Sequence, residues 1–355
     1  MLVGLKPSSK VAVNSSGNLC HWDGRSPHYE VWFLTLNHRA GKTGFWFRYT
    51  IESPARMHDD RGPHAALWAA FFDRERPDCD VGLVREWPID QFVCDGNEGF
   101  SLKLGDGFLS ATKAFGRVAG ADHSIAWDLS FVQNETTYHH VSRRLASLTR
   151  PSSLVCSPNL DTRFTGVVTV DGREFALEDE PGCQSHTWGR KHVDEWVWVH
   201  SNAFERNPGT VFEGLAARPR RLGRKLPPIQ SLFLRHRGEE YRFTRLRMSE
   251  QWQRKLGMGY WSFEATNARV HIEGVAQCRL RDMLQAEYTD PDGEPLYCIN
   301  SEVANLKLRL FRRKRGIRYR HVETINSLGA AHLEHACRTT DADVTGRFIR
   351  LCHED

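Results

Sequence analysis

The chain has 355 residues and sets 48 Lys and Arg against 44 Asp and Glu, so its net charge of +4 marks no general polyanion binder. Nine scattered cysteines, an odd number without a CxxC pair, exclude a disulfide framework and point to a reducing compartment. The first residues, MLVGLKPSSKVAVNSSGN, lack an apolar core of signal-peptide length, and the longest apolar run is the eight residues Ala65 to Phe72, against about 20 needed to span a bilayer, so a cytoplasmic protein is expected.

An apolar fraction of 40% with 11 Trp and 19 Phe suits packed cores rich in β-structure. Short alternating segments separated by turn residues predict strands at Tyr29 to Leu36, Gly44 to Ile51, Ala65 to Phe72, Phe100 to Leu104, Ser110 to Phe115 and Ser124 to Phe131. After the Pro and Ser-rich passage Arg150 to Pro158, strands at Phe164 to Val170 and Glu174 to Leu177 flank an Asp171-Gly172 turn of hairpin type. A second series runs through Trp196 to Phe204, Val211 to Ala217, Ile229 to Arg235, Glu240 to Leu246, Trp261 to Ala265 and Val270 to Leu280. A DPDG turn at Asp290 to Gly293 precedes Leu296 to Ile299, and Asn305 to Phe311 with Gly316 to Val322 reads as a further hairpin. GAAHLEHAC, Gly329 to Cys337, is the clearest helix candidate. Two similar β-barrels in tandem is the economical arrangement; one large sandwich is the alternative.

Basic residues cluster in two places. Arg218 to Lys225 carries five in eight positions, and Leu306 to His321 carries eight Lys or Arg. No nucleic-acid motif accompanies them, so nucleic acid is set aside, and two readings stay open: a solvated face, or peripheral contact with an anionic membrane.

The densest chemistry lies in CQSHTWGRKHVDEWVWVHSNAF, Cys183 to Phe204. On a strand, Trp196, Trp198, His200, Asn202 and Phe204 share one face, and Val197, Val199, Ser201 and Ala203 the other. Large aromatics mixed with hydrogen-bonding groups suit the wall of a pocket better than a solvent face. His186, His192 and His200 lie close in sequence, but spacings of six and eight match no zinc signature, so no metal is expected. No Walker loop, GxGxxG motif or GxSxG elbow occurs in a supporting context, and no cofactor is expected.

GCQSHTWG (Gly182 to Gly189), the following EWVWVHSNAF, the early HYEVWFL (His28 to Leu34) and FTGVVTVDG (Phe164 to Gly172) resemble the superfamily of carotenoid 1,2-hydratases, AttH-like proteins, tocopherol cyclases and fungal Diels–Alderases. The resemblance spans about residues 20 to 325. It implies an all-β chain of two tandem lipocalin-like antiparallel barrels, residues 20–182 and 183–355, with the short helix near the C-terminus added by the residue pattern. It also implies an apolar cavity in one barrel or at the junction, where an isoprenoid, polyketide or similar lipophilic molecule undergoes proton-assisted hydration, isomerisation or cyclisation. Relatives carry an Asp before the motif His, a proposed proton donor; here that position is Ser185, which cannot protonate an alkene.

Such chemistry needs an acid held neutral by apolar surroundings and aromatic faces that steady positive charge. Glu30, heading a face with Trp32, Leu34 and Leu36, is the first candidate; Glu213 follows, and Glu302 is weaker. Placement at a barrel rim, or a pair with Arg48, is the bland alternative for Glu30, and a buried ion pair that for Glu213. His186 and His200 are candidate bases or orienting groups, with structural hydrogen bonding as the alternative. Trp32, Trp188, Trp196, Trp198 and Asn202 are the candidate ligand wall, the alternatives being a barrel plug for Trp188 and core packing for Trp196 and Trp198. A lyase or isomerase and a non-catalytic carrier or sensor of a lipophilic ligand both remain open, as does the oligomeric state.

Overall fold

The computed structural model describes residues 17–55, 62–96, 99–120, 122–149, 151–221, 224–245, 256–313, 319–340 and 343–351. Strands dominate, and the α-helix found among these residues is the seven-residue Arg143–Thr149. No helix among them is long and apolar enough to cross a membrane. Leu246, 222–223 and 314–318, which belong to expected strands or basic clusters, lie outside the described residues.

Alternating side chains build the first sheet. Strands His28–His38, Thr43–Ser53, His64–Asp73 and Val81–Pro88 form an antiparallel meander. On its other side His28–His38 pairs with Arg173–Gly189, and the sheet continues through Ser153–Val170, His123–Phe131 and Lys113–Gly120 to short strands ending at Phe92–Asp95. Trp32, Leu34, Phe45, Phe47, Tyr49, Leu67 and Trp127 point into its core.

The second sheet is built the same way. Glu195–Ser201 lies between Val211–Arg218 and Tyr319–Cys337. Beyond the former come Ile229–His236 and Glu239–Arg245, and beyond the latter Pro295–Arg313, Val270–Gln277 and Tyr260–Thr266. Val197, Val199, Phe212, Trp261, Leu306 and Leu333 belong to its own core.

A third apolar cluster lies between the sheets, where Trp46, Ala66, Trp68 and Phe72 meet Leu284, Tyr288, Leu296 and Val303. Thr43–Ser53 and His64–Asp73 are therefore buried on both faces. That is why Ala65 to Phe72 is continuously apolar instead of alternating. Gly346–Leu351 pairs in parallel with both Leu284–Thr289 and Val81–Pro88, and so joins the two sheets.

Each sheet contains one long hairpin, Ser153–Val170 with Arg173–Gly189 and Pro295–Arg313 with Tyr319–Cys337, and register shifts interrupt both. Bulges of this kind bend a strand, which lets Pro295–Arg313 pair with Leu284–Thr289 near its start and Val270–Gln277 near its end. At one shift Gly166 has φ +142°, and a Cβ there would stand 2.1 Å from the Asp128 carbonyl oxygen.

Several expectations change. The expected helix over Gly329–Cys337 is the end of the Tyr319–Cys337 strand. Its Ala, Leu and Glu favour helix locally, but Ala331 and Leu333 fill the second core while His332 and Glu334 face the first sheet, a period of two set by pairing on both sides. Leu296 to Ile299 and Asn305 to Phe311 merge into one bulged strand, and most of the Pro and Ser-rich passage is strand as well. Ser110 to Phe115 instead straddles two strands, Gly107–Ser110 and Lys113–Gly120. The Asp171-Gly172 turn has positive φ at both residues, as its hairpin type requires.

Candidate functional site

The expected site residues separate into two groups, one on the inner side of the first sheet and one between the sheets. Glu30, Trp32, His186 and Trp188 turn towards its inner side, with Trp32 opposite His186 and Glu30 opposite Trp188 in register. Glu30 is fully buried. It accepts hydrogen bonds from His186 Nε2 at 2.8 Å, His28 Nε2 at 3.1 Å, and the backbone N–H groups of His21 at 2.8 Å and Trp22 at 3.0 Å. Burial pushes the carboxyl up, but His186, His28 and the backbone donors outweigh it and hold its pKa at about 2.

The expected neutral acid is thus a carboxylate, because donors surround it where apolar contact was anticipated. Nor does Arg48 reach it: Arg48 sits on the opposite face of the neighbouring strand. The Trp32 ring stacks on His186 at 4.8 Å, and His21 stacks on Trp188 at 4.1 Å. Trp32 Nε1 donates to the Asn18 carbonyl, and His186 Nδ1 faces the Gly17 carbonyl. These contacts seat residues 17 to 22 over this end of the sheet.

The second group lies between the sheets. Asn202 Nδ2 reaches Asp161 Oδ1 at 2.8 Å, the Gly182 carbonyl at 2.9 Å and the Thr162 carbonyl at 3.2 Å, so one amide spans the bulge of the opposing hairpin. His200 Nε2 meets the Leu160 carbonyl at 2.9 Å, and burial lowers its pKa. Glu213 accepts from His140 Nε2 at 2.7 Å and Ser157 Oγ at 2.8 Å. Burial raises its carboxyl; His140 outweighs that and leaves it below the usual range. Ser185 bonds Ser157 at 3.0 Å and so reaches Glu213 through one hydroxyl. Trp196 Nε1 donates to Glu334, a carboxyl that burial holds up, and Trp198 packs edge-on against Phe33. Burial and the neighbouring Glu334 also push the buried Glu302 well up.

A cavity of about 360 Å³ opens at this junction, and its lining includes Tyr29, Arg48, Trp68, His192, Tyr288 and Asp290. Volumes of about 300–1,000 Å³ are typical of small-molecule sites. Asp290 Oδ1 holds His192 Nδ1 at 2.6 Å and the His192 backbone N–H at 3.0 Å, while Arg338 binds Oδ2. With Nδ1 occupied, Nε2 is the ring nitrogen left for proton transfer. The imidazole is sandwiched by Tyr29 at 3.6 Å and Trp196 at 5.7 Å. Burial pushes its pKa down, partly offset by Asp290.

Beside Arg350, which pairs with Glu86, the cavity is lined by a second arginine, Arg48. Its Nε bonds Thr50 Oγ1 at 3.0 Å, and its guanidinium lies 4.1 Å from the Tyr288 ring and 5.4 Å from Trp68. Among the described residues no carboxylate forms an ion pair with it, although it is only 5% exposed. Glu334 acts on it only electrostatically, without an ion pair, and a buried guanidinium held so loosely is costly unless something else uses its charge.

None of the expected site residues lines this cavity. Its own signals were present in weak form: an Arg inside the aromatic strand FWFRYTI, and an Asp opening the DPDG turn. The three neighbouring histidines fall in three places, His186 inside the first sheet, His192 at the cavity and His200 between the sheets. Side chains that could share a metal ion are instead Cys183, His200 and His332, and separately His21, Glu30 and His186. Of the basic stretch Leu306 to His321, Arg309 pairs with Glu273 and Arg312 with Glu239.

Fold and cavity together define an all-β protein of the lipocalin-like kind, with antiparallel sheets packed across a ligand-sized cleft. The chain belongs to the tocopherol cyclase-like family, whose profile matches residues 145–335. It is 26% identical over 345 residues to the uncharacterized protein Rv0493c of Mycobacterium tuberculosis, covering 95% of each chain. In fold it is similar to an AttH-type protein from Nitrosomonas europaea, with a TM-score of 0.52 at 12% identity over 94% of this chain and 98% of that one. Kievitone hydratase from Nectria haematococca aligns over 95% of this chain and 93% of its own, at 9% identity and a TM-score of 0.47.

Proposed function

We propose that the junction cavity binds a hydrophobic small molecule bearing a carbonyl or carboxylate and catalyses a proton-assisted hydration, isomerisation or cyclisation of it. The observation that carries this reading is the Asp290–His192 pair opening on a cavity that also holds Arg48, which forms an ion pair with no carboxylate among the described residues. Membership of a tocopherol cyclase-like family supports ring closure or its mechanistic relatives.

The residues present favour one kind of proton chemistry. Protonating an alkene makes a carbocation, and a buried guanidinium resting on the aromatic walls repels it. Arg48 instead stabilises negative charge growing on a ligand oxygen. His192 Nε2 takes a proton from the carbon next to that carbonyl, Asp290 steadies the imidazolium, and the same proton returns at another atom. Isomerisation needs nothing more; hydration adds water across the activated double bond, and cyclisation adds an internal nucleophile. Tyr29, Trp68 and Tyr288 supply the apolar walls.

Ser185 favours a second reading, a carrier without chemistry, since its hydroxyl is committed to Ser157 and offers no acid. Organic extraction of purified protein separates the two. Unmodified stoichiometric ligand supports the carrier; product formed from supplied ligand, and lost in His192→Gln, supports the enzyme.

A further inference from the structure

Between the sheets His200 Nδ1 and His332 Nδ1 lie 3.1 Å apart, and their surroundings determine where the ring hydrogens sit. His200 Nε2 faces the Leu160 carbonyl, which can only accept, so that nitrogen carries the hydrogen. His332 Nε2 faces Asn37 Oδ1 at 3.0 Å. The Asn37 amide cannot be flipped, because its Nδ2 donates to the Glu302 carbonyl at 2.6 Å. His332 Nε2 therefore carries its hydrogen too. With both ring hydrogens at Nε2, each Nδ1 presents a lone pair to the other. The Thr35 hydroxyl, 2.7 Å from His332 Nδ1, has a single hydrogen for two lone pairs.

A cation resolves that conflict. Cys183 Sγ, 3.3 Å from Thr35 Oγ1, lies with the two Nδ1 atoms in a group whose members are all within 4.8 Å of one another. With metal–nitrogen bonds of about 2.0–2.1 Å, two tetrahedral ligands stand roughly 3.3 Å apart, close to the separation of the two Nδ1 atoms. Each imidazole already donates its other N–H to an oxygen, the arrangement that orients metal-bound histidine. One thiolate with two imidazoles suits a soft or borderline ion, and no carboxylate oxygen belongs to the group. The thiolate would neutralise one positive charge in a site where all three side chains are fully buried.

We propose that Cys183, His200 and His332 bind one closed-shell cation, Zn²⁺ or Cu⁺, which staples the first sheet to the second. Cys183 comes from Arg173–Gly189, and the histidines come from Glu195–Ser201 and Tyr319–Cys337. Binding displaces the thiol proton to solvent and involves no redox change.

Full-length protein is stripped with chelator, then loaded with Zn²⁺, with Cu⁺ under reductant, or with Co²⁺ as a spectroscopic probe for zinc. The expected result is one retained metal per chain by mass spectrometry, a thiolate-to-Co²⁺ charge-transfer band, and a Tm higher than that of stripped protein. Cys183→Ser fits the same space and should keep the far-UV spectrum. It should lose the band and weaken Co²⁺ binding by more than the about 10–100-fold that follows loss of an outer hydrogen-bond partner. Wild-type protein that retains none of the three ions overturns the proposal, as does equal retention by Cys183→Ser. These outcomes are independent of turnover and of the cavity reading.

Discussion

Asp290 accepts two hydrogen bonds from His192 on one oxygen, from the backbone N–H and from Nδ1, and pairs with Arg338 on the other. Burial alone would push this carboxyl up; its contacts with His192 and the Arg338 charge outweigh it and hold it well below the usual range. The imidazole behaves in the complementary way, lowered by burial and partly restored by Asp290. Ring orientation, tautomer and basicity of His192 thus depend on one carboxylate 98 residues away.

Asp290→Asn should therefore lower the His192 pKa further, because it removes the charge that favours the imidazolium. NMR titration of the ring reads this directly. Turnover should fall by about 10²–10⁴-fold, the usual worth of a positioned acid or base. In the wild type the rate should decline as pH drops below His192's lowered pKa, and in the variant that decline should move to still lower pH. Loss of one of the two carboxylates that pair with Arg338 should also destabilise the fold. An unchanged His192 titration would remove Asp290 from any positioning role.

Arg48→Met separates a functional cation from a structural one. Because no carboxylate among the described residues pairs with Arg48, the variant forfeits mainly cation–π contact, about 0.5–2 kcal/mol, while also removing a buried charge. Thermal unfolding should move little, and affinity for a ligand recovered by extraction should drop more than about tenfold. A collapse of Tm with affinity intact would make Arg48 a structural residue.

Much of this fold is legible residue by residue, and its limits have physical causes. Alternation in HYEVWFL and EWVWVHS marks strands whose two faces meet different surroundings, and the face shared by Trp196, Trp198 and His200 is distinct from the Val197 and Val199 face. What alternation cannot say is which surroundings those are. The aromatic face meets the other sheet, a contact fixed by curvature and by pairing across more than a hundred residues. The same limit hid the nature of Glu30, whose donors at His21, Trp22 and His186 come from separate segments. Val81–Pro88 and Gly346–Leu351 escaped notice because glycine, proline and arginine interrupt them, while pairing with neighbouring strands holds them in place. Local propensity in Gly329–Cys337 lost to pairing on both sides.

Asn202 tests the junction without touching the cavity. Its Nδ2 serves three acceptors on the first sheet's hairpin, so Asn202→Leu leaves buried carbonyls unsatisfied and should cost about 1–3 kcal/mol. Asn202→Asp should be worse near neutral pH, because it sets a carboxylate against the Asp161 carboxylate and two carbonyl oxygens. Acidification that protonates the new carboxyl should recover part of that loss. Chemical denaturation at two pH values measures both effects; equal stability of the Leu and Asp variants at neutral pH would contradict the assignment.

Glu30 makes a prediction about acid stability whose sign follows from its pKa. A carboxyl whose pKa is about 2 in the folded protein, against 4.5 for an unperturbed Glu, binds its proton more readily when unfolded. The unfolded chain therefore takes up more protons between these values, and stability falls as pH falls through that window. Above pH 4.5 the full contribution is present; below pH 2 it is gone. A shift of this size corresponds to about 3 kcal/mol at full effect. Glu30→Gln should erase that dependence. Its amide still accepts at one oxygen but turns an N–H₂ group towards the His186, His28 and backbone donors, so the variant should be less stable by about 3–5 kcal/mol at neutral pH. Urea unfolding from pH 6 down to pH 3 should show the wild-type curve descending towards that of the variant. Parallel curves would mean that Glu30 is not the carboxylate its donors imply.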